Sequence, residues 1–207
     1  MSFAPNSAAE IARIPLALPI GQRMRLSKGD VETWVPRSRG CRMALSRVTF
    51  AFERPTGDEM ATQIIGADKW AVSGLCGLYV VARSSSGPIG FCAFDLAALP
   101  GDEETLPQLW LNLDLVYVRP ETRGKGLATA LAAALILFIE TTLDQNPHFA
   151  LNFFHLALSA ELFSEGGERF CGYMTDYVDL AYDRANDPYM RDEHTPRVAS
   201  REVDAGW

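Results

Sequence analysis

An apolar strand that runs into a basic, glycine-spaced loop and out into an apolar helix constrains this chain more than any other feature. The segment reads Val116-Tyr117-Val118-Arg119-Pro120-Glu121-Thr122-Arg123-Gly124-Lys125-Gly126-Leu127-Ala128. The first amides of a helix lack internal partners and carry the positive end of its dipole. Glycines at 124 and 126 let an anionic group approach those amides closely, and Arg123 and Lys125 add positive charge. Such a segment is a cradle for phosphate or diphosphate.

The flanking elements follow from periodicity. Leu109, Leu111, Leu113, Leu115 and Tyr117 share one face of a strand over Leu109–Val118. Trp110, Asn112, Asp114, Val116 and Val118 share the other, with two polar residues in mid-strand. That pattern predicts a strand buried on one face and facing a cleft on the other. Leu127–Thr142, full of Ala and Leu, reads as a helix. Upstream, Gly77–Arg83 and Pro88–Leu96 form a hairpin about Ser84-Ser85-Ser86-Gly87. Val48, Phe50 and Phe52 mark a strand within Met43–Phe52. Met60, Ile64 and Ala67 mark a helix over Gly57–Trp70. Phe149–Leu158 reads as a further strand, and Phe170, Tyr173 and Tyr177 mark a last helix face running to about Arg184. This order predicts a mixed α/β sheet covered by helices. Residues 1–40, interrupted by Pro5, Pro15, Pro19 and Pro36, read as an arm that packs on the body. Residues 41–185 are the domain, and 186–207 a polar tail.

Charge and cysteine usage narrow the chemistry. Residues 1–50 hold eight Lys/Arg against three Asp/Glu, whereas the rest hold eleven against twenty-three. An acidic body attracts a cationic amine at long range, and it equally serves solubility. The basic arm has no run of Lys/Arg and few aromatics among them, so no nucleic-acid partner is expected. Cys41, Cys76, Cys92 and Cys171 include no C-x-x-C pair, and only His148, His155 and His194 stand beside them, so no metal site is expected. Reduced thiols and the absence of a signal peptide predict the cytoplasm. The uncharged stretch Leu127–Ile139 is too short to span a bilayer, so no membrane is expected.

Three phosphate-binding patterns compete for the loop. A P-loop needs G-x-x-x-x-G-K-[ST], which is absent. A dinucleotide fingerprint starting at Gly124 would place Thr129 where its third glycine belongs, and Arg119–Arg123 would intervene between strand and glycines. The third pattern fits every position. Arg123, Gly126 and Ala128 match [RQ]-x-x-G-x-[GA], preceded by Val118-Arg119-Pro120 and by Gly87-Pro88-Ile89-Gly90-Phe91 in the hairpin. In these residues the chain resembles the GNAT superfamily of acetyl-CoA-dependent N-acetyltransferases, over Gly77–Leu143 and in outline over Met43–Leu180.

The resemblance implies a central, mostly antiparallel sheet flanked by helices, acetyl-CoA as co-substrate, no metal, and direct attack of an amine on the thioester. It implies that Val116 and Val118 meet the pantetheine arm through main-chain groups. Arg123, Gly124, Lys125, Gly126, Leu127 and Ala128 would wrap the diphosphate. A homodimer is compatible with it. Asp114 is the candidate base that takes the amine's proton, or else a hydrogen-bonded structural carboxylate; Asn112 shares its face and Asp95 competes with it. Tyr173 is the candidate acid for the departing thiolate and Tyr177 the second choice, the alternative for both being core packing. The chain departs from the family at Ser159–Tyr173, which carries Gly166-Gly167 but not the N-x-x-A-x-x-x-Y-x-x-x-G-F run, and it lacks a recognisable final strand pair. Two other outcomes stay open: a CoA-binding module without catalysis, and a transferase for longer acyl chains.

Overall fold

The computed structural model describes residues 13–36, 42–56, 59, 77–101, 105–161, 164–190, 195 and 197–206. Among them the order is β1 (Arg23–Met24), α1 (Lys28–Trp34), β2 (Thr49–Ala51), β3 (Leu78–Ser84), β4 (Gly87–Leu99) and β5 (Gln108–Val118). Then follow α2 (Leu127–Gln145), α3 (Pro147–Leu151), β6 (Phe154–Glu161), α4 (Glu165–Asn186) and β7 (Val198–Gly206). The strands form one open sheet in the order β1-β2-β3-β4-β5-β6-β7. Its neighbours are antiparallel from β1 to β5 and parallel from β5 to β7. This is the mixed, mostly antiparallel α/β architecture expected, and it is compatible with a GNAT-like fold. Apart from Glu59, the helix expected over Gly57–Trp70 lies outside the described residues, as do Cys41 and Cys76.

The β3–β4 hairpin turns where the serines and glycine predict. Gly87 takes φ 105°, and the Ser84 hydroxyl accepts from the Ser86 amide at 3.2 Å. β4 is buried along almost its whole length, as a central strand covered on both faces must be. Helix α2 is buried on most sides: thirteen of its nineteen residues are buried. It packs on β3, β4 and β5 and against α1, α3 and α4. Phe138 meets the rings of Phe52 and Phe94 edge-on at 4.9 and 5.1 Å. Nineteen residues make α2 long and apolar enough to cross a membrane by length and composition. The apolar helix is thus longer than the stretch Leu127–Ile139 read from the sequence, and its enclosure by the sheet and three helices marks it as core.

Three expectations fail for physical reasons. The simple alternation of Leu109–Val118 breaks, because the β4–β5 register shifts between Ala93 and Phe94: Ala93 faces Leu115 while Phe94 faces Leu113. Asp114 is the extra residue of a bulge, and a bulge reverses the faces beyond it. Leu109, Leu111 and Leu113 therefore lie in the main core, with Val116 and Val118 packed against it. Leu115 and Tyr117 join Tyr79, Val81, Phe91 and Ala93 in a second cluster on the other face. Second, Phe149 is not in a strand. Pro147 opens the short helix α3, a position proline favours, and the strand begins only at Phe154.

Third, Val198–Gly206, assigned to a polar tail, pairs in parallel with β6 as the sheet's last strand. Its outer half is exposed on both faces, so it has no apolar alternation to reveal it. Arg201 anchors it on α4 through Asp179 and the ring of Tyr182. The described part of the segment read as an arm, residues 13–36, packs on the body and gives the sheet its first strand, β1. Ile14 bridges Ala98, and the Asn146 side chain exchanges two 2.9 Å bonds with the backbone of Ala17.

Candidate functional site

The loop after β5 is built so that a helix starts against the hairpin. Arg119 continues the ladder by donating to the Ile89 carbonyl at 3.1 Å. Pro120 then opens a single 3-10 turn through Thr122, closed by the Thr122 hydroxyl on the Arg119 carbonyl at 2.9 Å. Gly124 and Gly126 take φ of 71° and 87°, conformations that cost L side chains roughly 1–2 kcal/mol each. Gly126 caps α2 with no side-chain hydrogen bond, so no capping side chain consumes the first helical amides. Gly90 sits beneath. A Cβ there would lie 2.8 Å from the Tyr117 carbonyl oxygen and 3.2 Å from Leu127 Cδ2, so only glycine lets the start of α2 press onto the hairpin.

Beside this loop β5 and β6 part. Their pairing ends at Leu113 with Ala160, which leaves Asp114–Val118 beyond the reach of β6. The chain from β6 instead turns into α4, whose first turn carries Ser164 as N-cap, accepting from the Gly167 amide at 3.1 Å. Between the end of β5, the loop and this helix start lies a cavity of about 940 Å³, within the roughly 300–1,000 Å³ typical of small-molecule sites. It is lined by Val116, Val118, Arg123, Gly124, Gly126, Leu127 and Ala128, and by Tyr173 across from them. Of the residues predicted to hold the cofactor, only Lys125 is outside the lining. Its ammonium donates to the Glu121 carbonyl at 2.8 Å, and its own carbonyl accepts from the amides of Arg42 and Met43.

The lining includes groups that sequence reasoning did not select. Arg42, Ser164, Gly166, Gly167, Arg169 and Phe170 also belong to the wall. Ser164-Glu165-Gly166-Gly167 before an amphipathic run is a readable helix start; nothing around Arg42 signals its position. Among the described residues no carboxylate lines the cavity. Arg123 also braces the loop, its Nε donating to the Val118 carbonyl at 2.9 Å.

The candidate acid and base are placed differently from each other. Tyr173 reaches the cavity wall and is half-buried. Tyr177 does not; it is 2% exposed in the core, where burial, and then the neighbouring Glu140, push its hydroxyl well above the usual range. Asp114 is half-buried next to the cavity but outside its lining. It ends a chain of polar contacts. Trp110 Nε1 donates to Ser159 Oγ at 3.0 Å, Ser159 donates to Asn112 Oδ1 at 2.9 Å, and Asn112 donates to Asp114 Oδ1 at 2.8 Å. Asp95 faces Asn112 across the β4–β5 ladder and is outside the cavity lining.

No protein-family model matches the chain, and no curated protein does. An integron cassette protein from the mobile metagenome of V. cholerae is similar in structure at 14% identity, over 75% of this chain and 83% of that one, with a TM-score of 0.32. At that score the likeness carries no argument about fold or activity.

Proposed function

We propose that the chain is an acyl-CoA-dependent N-acyltransferase that passes an acetyl group to an amine, a member of the GNAT superfamily. The observation that carries the reading is the cavity itself. The end of β5, parted from β6, the positive-φ glycine loop and the uncapped start of α2 meet in one wall that carries no carboxylate among the described residues. This fits a diphosphate on the loop amides with an extended arm laid along Val116–Val118. The bound thioester supplies an activated acyl carbon. The protein's residues supply position and proton handling. Asp114 stands at the bulge, two residues from Val116, where it takes a proton from the incoming ammonium directly or through water. Tyr173, on the opposite wall, gives a proton to the departing thiolate.

The test is a free-CoA release assay with acetyl-CoA against a panel of amines, beside thermal stabilisation by CoA, NAD and ATP. CoA should raise Tm by mass action and the two nucleotides far less. Equal stabilisation by NAD, or none by CoA, sinks the reading. One observation favours a second reading, a CoA-binding module without transfer chemistry: Asp114 is bonded to Asn112 and lies outside the cavity lining. CoA binding with no amine-dependent thiol release would select it.

A further inference from the structure

The chain carries a net charge of −7, yet among the described residues three arginines and no carboxylate line its cavity: Arg42, Arg123 and Arg169. They come from three separate elements. Arg123 belongs to the glycine loop. Arg42 precedes β2, and its backbone is tied to that loop, since the amides of Arg42 and Met43 donate to the Lys125 carbonyl at 3.0 and 3.1 Å. Arg169 stands in the second turn of α4, on another wall. Its carboxylate neighbour is Glu165 at 3.9 Å, both side chains being more than 70% exposed, a pairing of little strength. Among the described residues no carboxylate pairs with Arg42. A diphosphate carries two negative charges, which the loop amides and Arg123 match. Two guanidiniums are left over.

Resting on the acyl-CoA reading, we propose that Arg42 and Arg169 form a second phosphate subsite, which holds a phosphate monoester on the nucleotide outside its diphosphate. A monoester carries about −1.5 to −2 charges near neutral pH, and guanidiniums match its oxygens with paired, charge-assisted donors. The subsite makes the protein selective for nucleotide thioesters with a third phosphate. It also gives the segment before β2 a part in ligand binding, because the backbone tie to Lys125 sets where the Arg42 side chain departs.

The experiment is calorimetric titration of the full chain, at one fixed salt concentration, with CoA and with 3′-dephospho-CoA. The wild type should bind CoA roughly tenfold tighter or better, the scale of one lost charged hydrogen bond. R42Q and R169Q should each weaken CoA by about that factor and leave 3′-dephospho-CoA unchanged, which also shows that the variants are folded. Equal affinity for the two ligands in the wild type, or variants that weaken both ligands equally, overturns the second subsite and leaves the acyl-CoA reading standing. Failure of both ligands to bind the wild type overturns that reading and the subsite with it.

Discussion

Gly90 and Gly124 flank the same loop, but an added methyl group would do opposite things at the two sites. At Gly90 it would sit 2.8 Å from the Tyr117 carbonyl oxygen, 3.2 Å from Leu127 and 3.5 Å from Leu131. The first of these is backbone of the paired strand β5 and the other two are side chains of α2, so the strand and the start of the helix both have to give way. Overpacking of this kind costs about 1–3 kcal/mol, against roughly 0.4–1 kcal/mol regained from the stiffer unfolded chain. A net loss of about 1–2 kcal/mol, at about 2–4 °C per kcal/mol for a chain of this size, lowers Tm by about 2–8 °C. At Gly124 the methyl meets nothing within 4 Å. Only the φ of 71° is penalised, by about 1–2 kcal/mol less the same regained entropy. The methyl instead stands on the cavity wall where the diphosphate is proposed to approach. Gly90→Ala should therefore lose more Tm and keep CoA affinity, while Gly124→Ala should keep most of its Tm and lose CoA affinity by about tenfold or more. Differential scanning fluorimetry and titration on the same preparations separate the two. Unchanged CoA affinity in folded Gly124→Ala would refute the loop as the phosphate site. An unshifted Tm in Gly90→Ala would refute the close contact between hairpin and helix.

Further outcomes follow from the same geometry. Asp114→Asn should bind CoA normally and turn over roughly 10²-fold more slowly, with the loss shrinking at alkaline pH as free amine becomes abundant; unchanged steady-state rates across the pH range would make Asp114 structural. Tyr173→Phe should lower turnover without weakening CoA, whereas Tyr177→Phe should leave the kinetics alone, and a reversal of that order in the release assay would move the acid into the core. The Arg83 guanidinium holds Glu59 down to about 2, so the stability from this pair is present above about pH 4.5 and is lost as pH falls through about 2; Glu59→Gln should flatten that acid limb of Tm against pH. Burial raises the Glu140 carboxyl, so stability is greatest below its unfolded value and falls as pH rises; Glu140→Gln should raise Tm at neutral pH and not at pH 4, and equal shifts at both would discount the burial.

The sequence discloses those parts of the molecule whose physics is local. The hairpin about Ser84–Gly87, the helix from Leu127 and the glycine loop each announce themselves through turn chemistry, apolar run or spacing, and each stands within a few residues of its expected bounds. What escapes depends on partners distant in the chain. β7 is a polar edge strand that exists because β6 offers it a ladder and Asp179 and Tyr182 an anchor, none of which its nine residues reveal. Arg42 reaches the cavity because Lys125, over eighty positions later, accepts from its amide. Phe149 has strand-like neighbours, but Pro147 starts a helical turn before any ladder can form.

Asp114 lies at the boundary between these two kinds of information, and its placement bears on how its mutant should be read. Alternation selected it for chemistry as a polar residue in mid-strand, on one face with Val116 and Val118. The register shift shows that this alternation stops at Asp114 itself. One extra residue there turns Val116 and Val118 toward the helices and the cavity, and pairing with β6 ends one residue earlier, at Leu113. A residue at the bulge thus shapes the cleft whether or not it moves a proton. Asparagine leaves Oδ1 able to accept from Asn112, as the carboxylate does at 2.8 Å, so Asp114→Asn preserves the bulge while removing the base. Asp114→Ala deletes the acceptor too. If the residue is the base, Asp114→Asn loses turnover while it binds CoA as the wild type does, and Asp114→Ala loses at least as much turnover. If it only holds the bulge, Asp114→Ala alone weakens CoA, because Val116 and Val118 are then no longer held toward the cavity, and Asp114→Asn behaves as wild type.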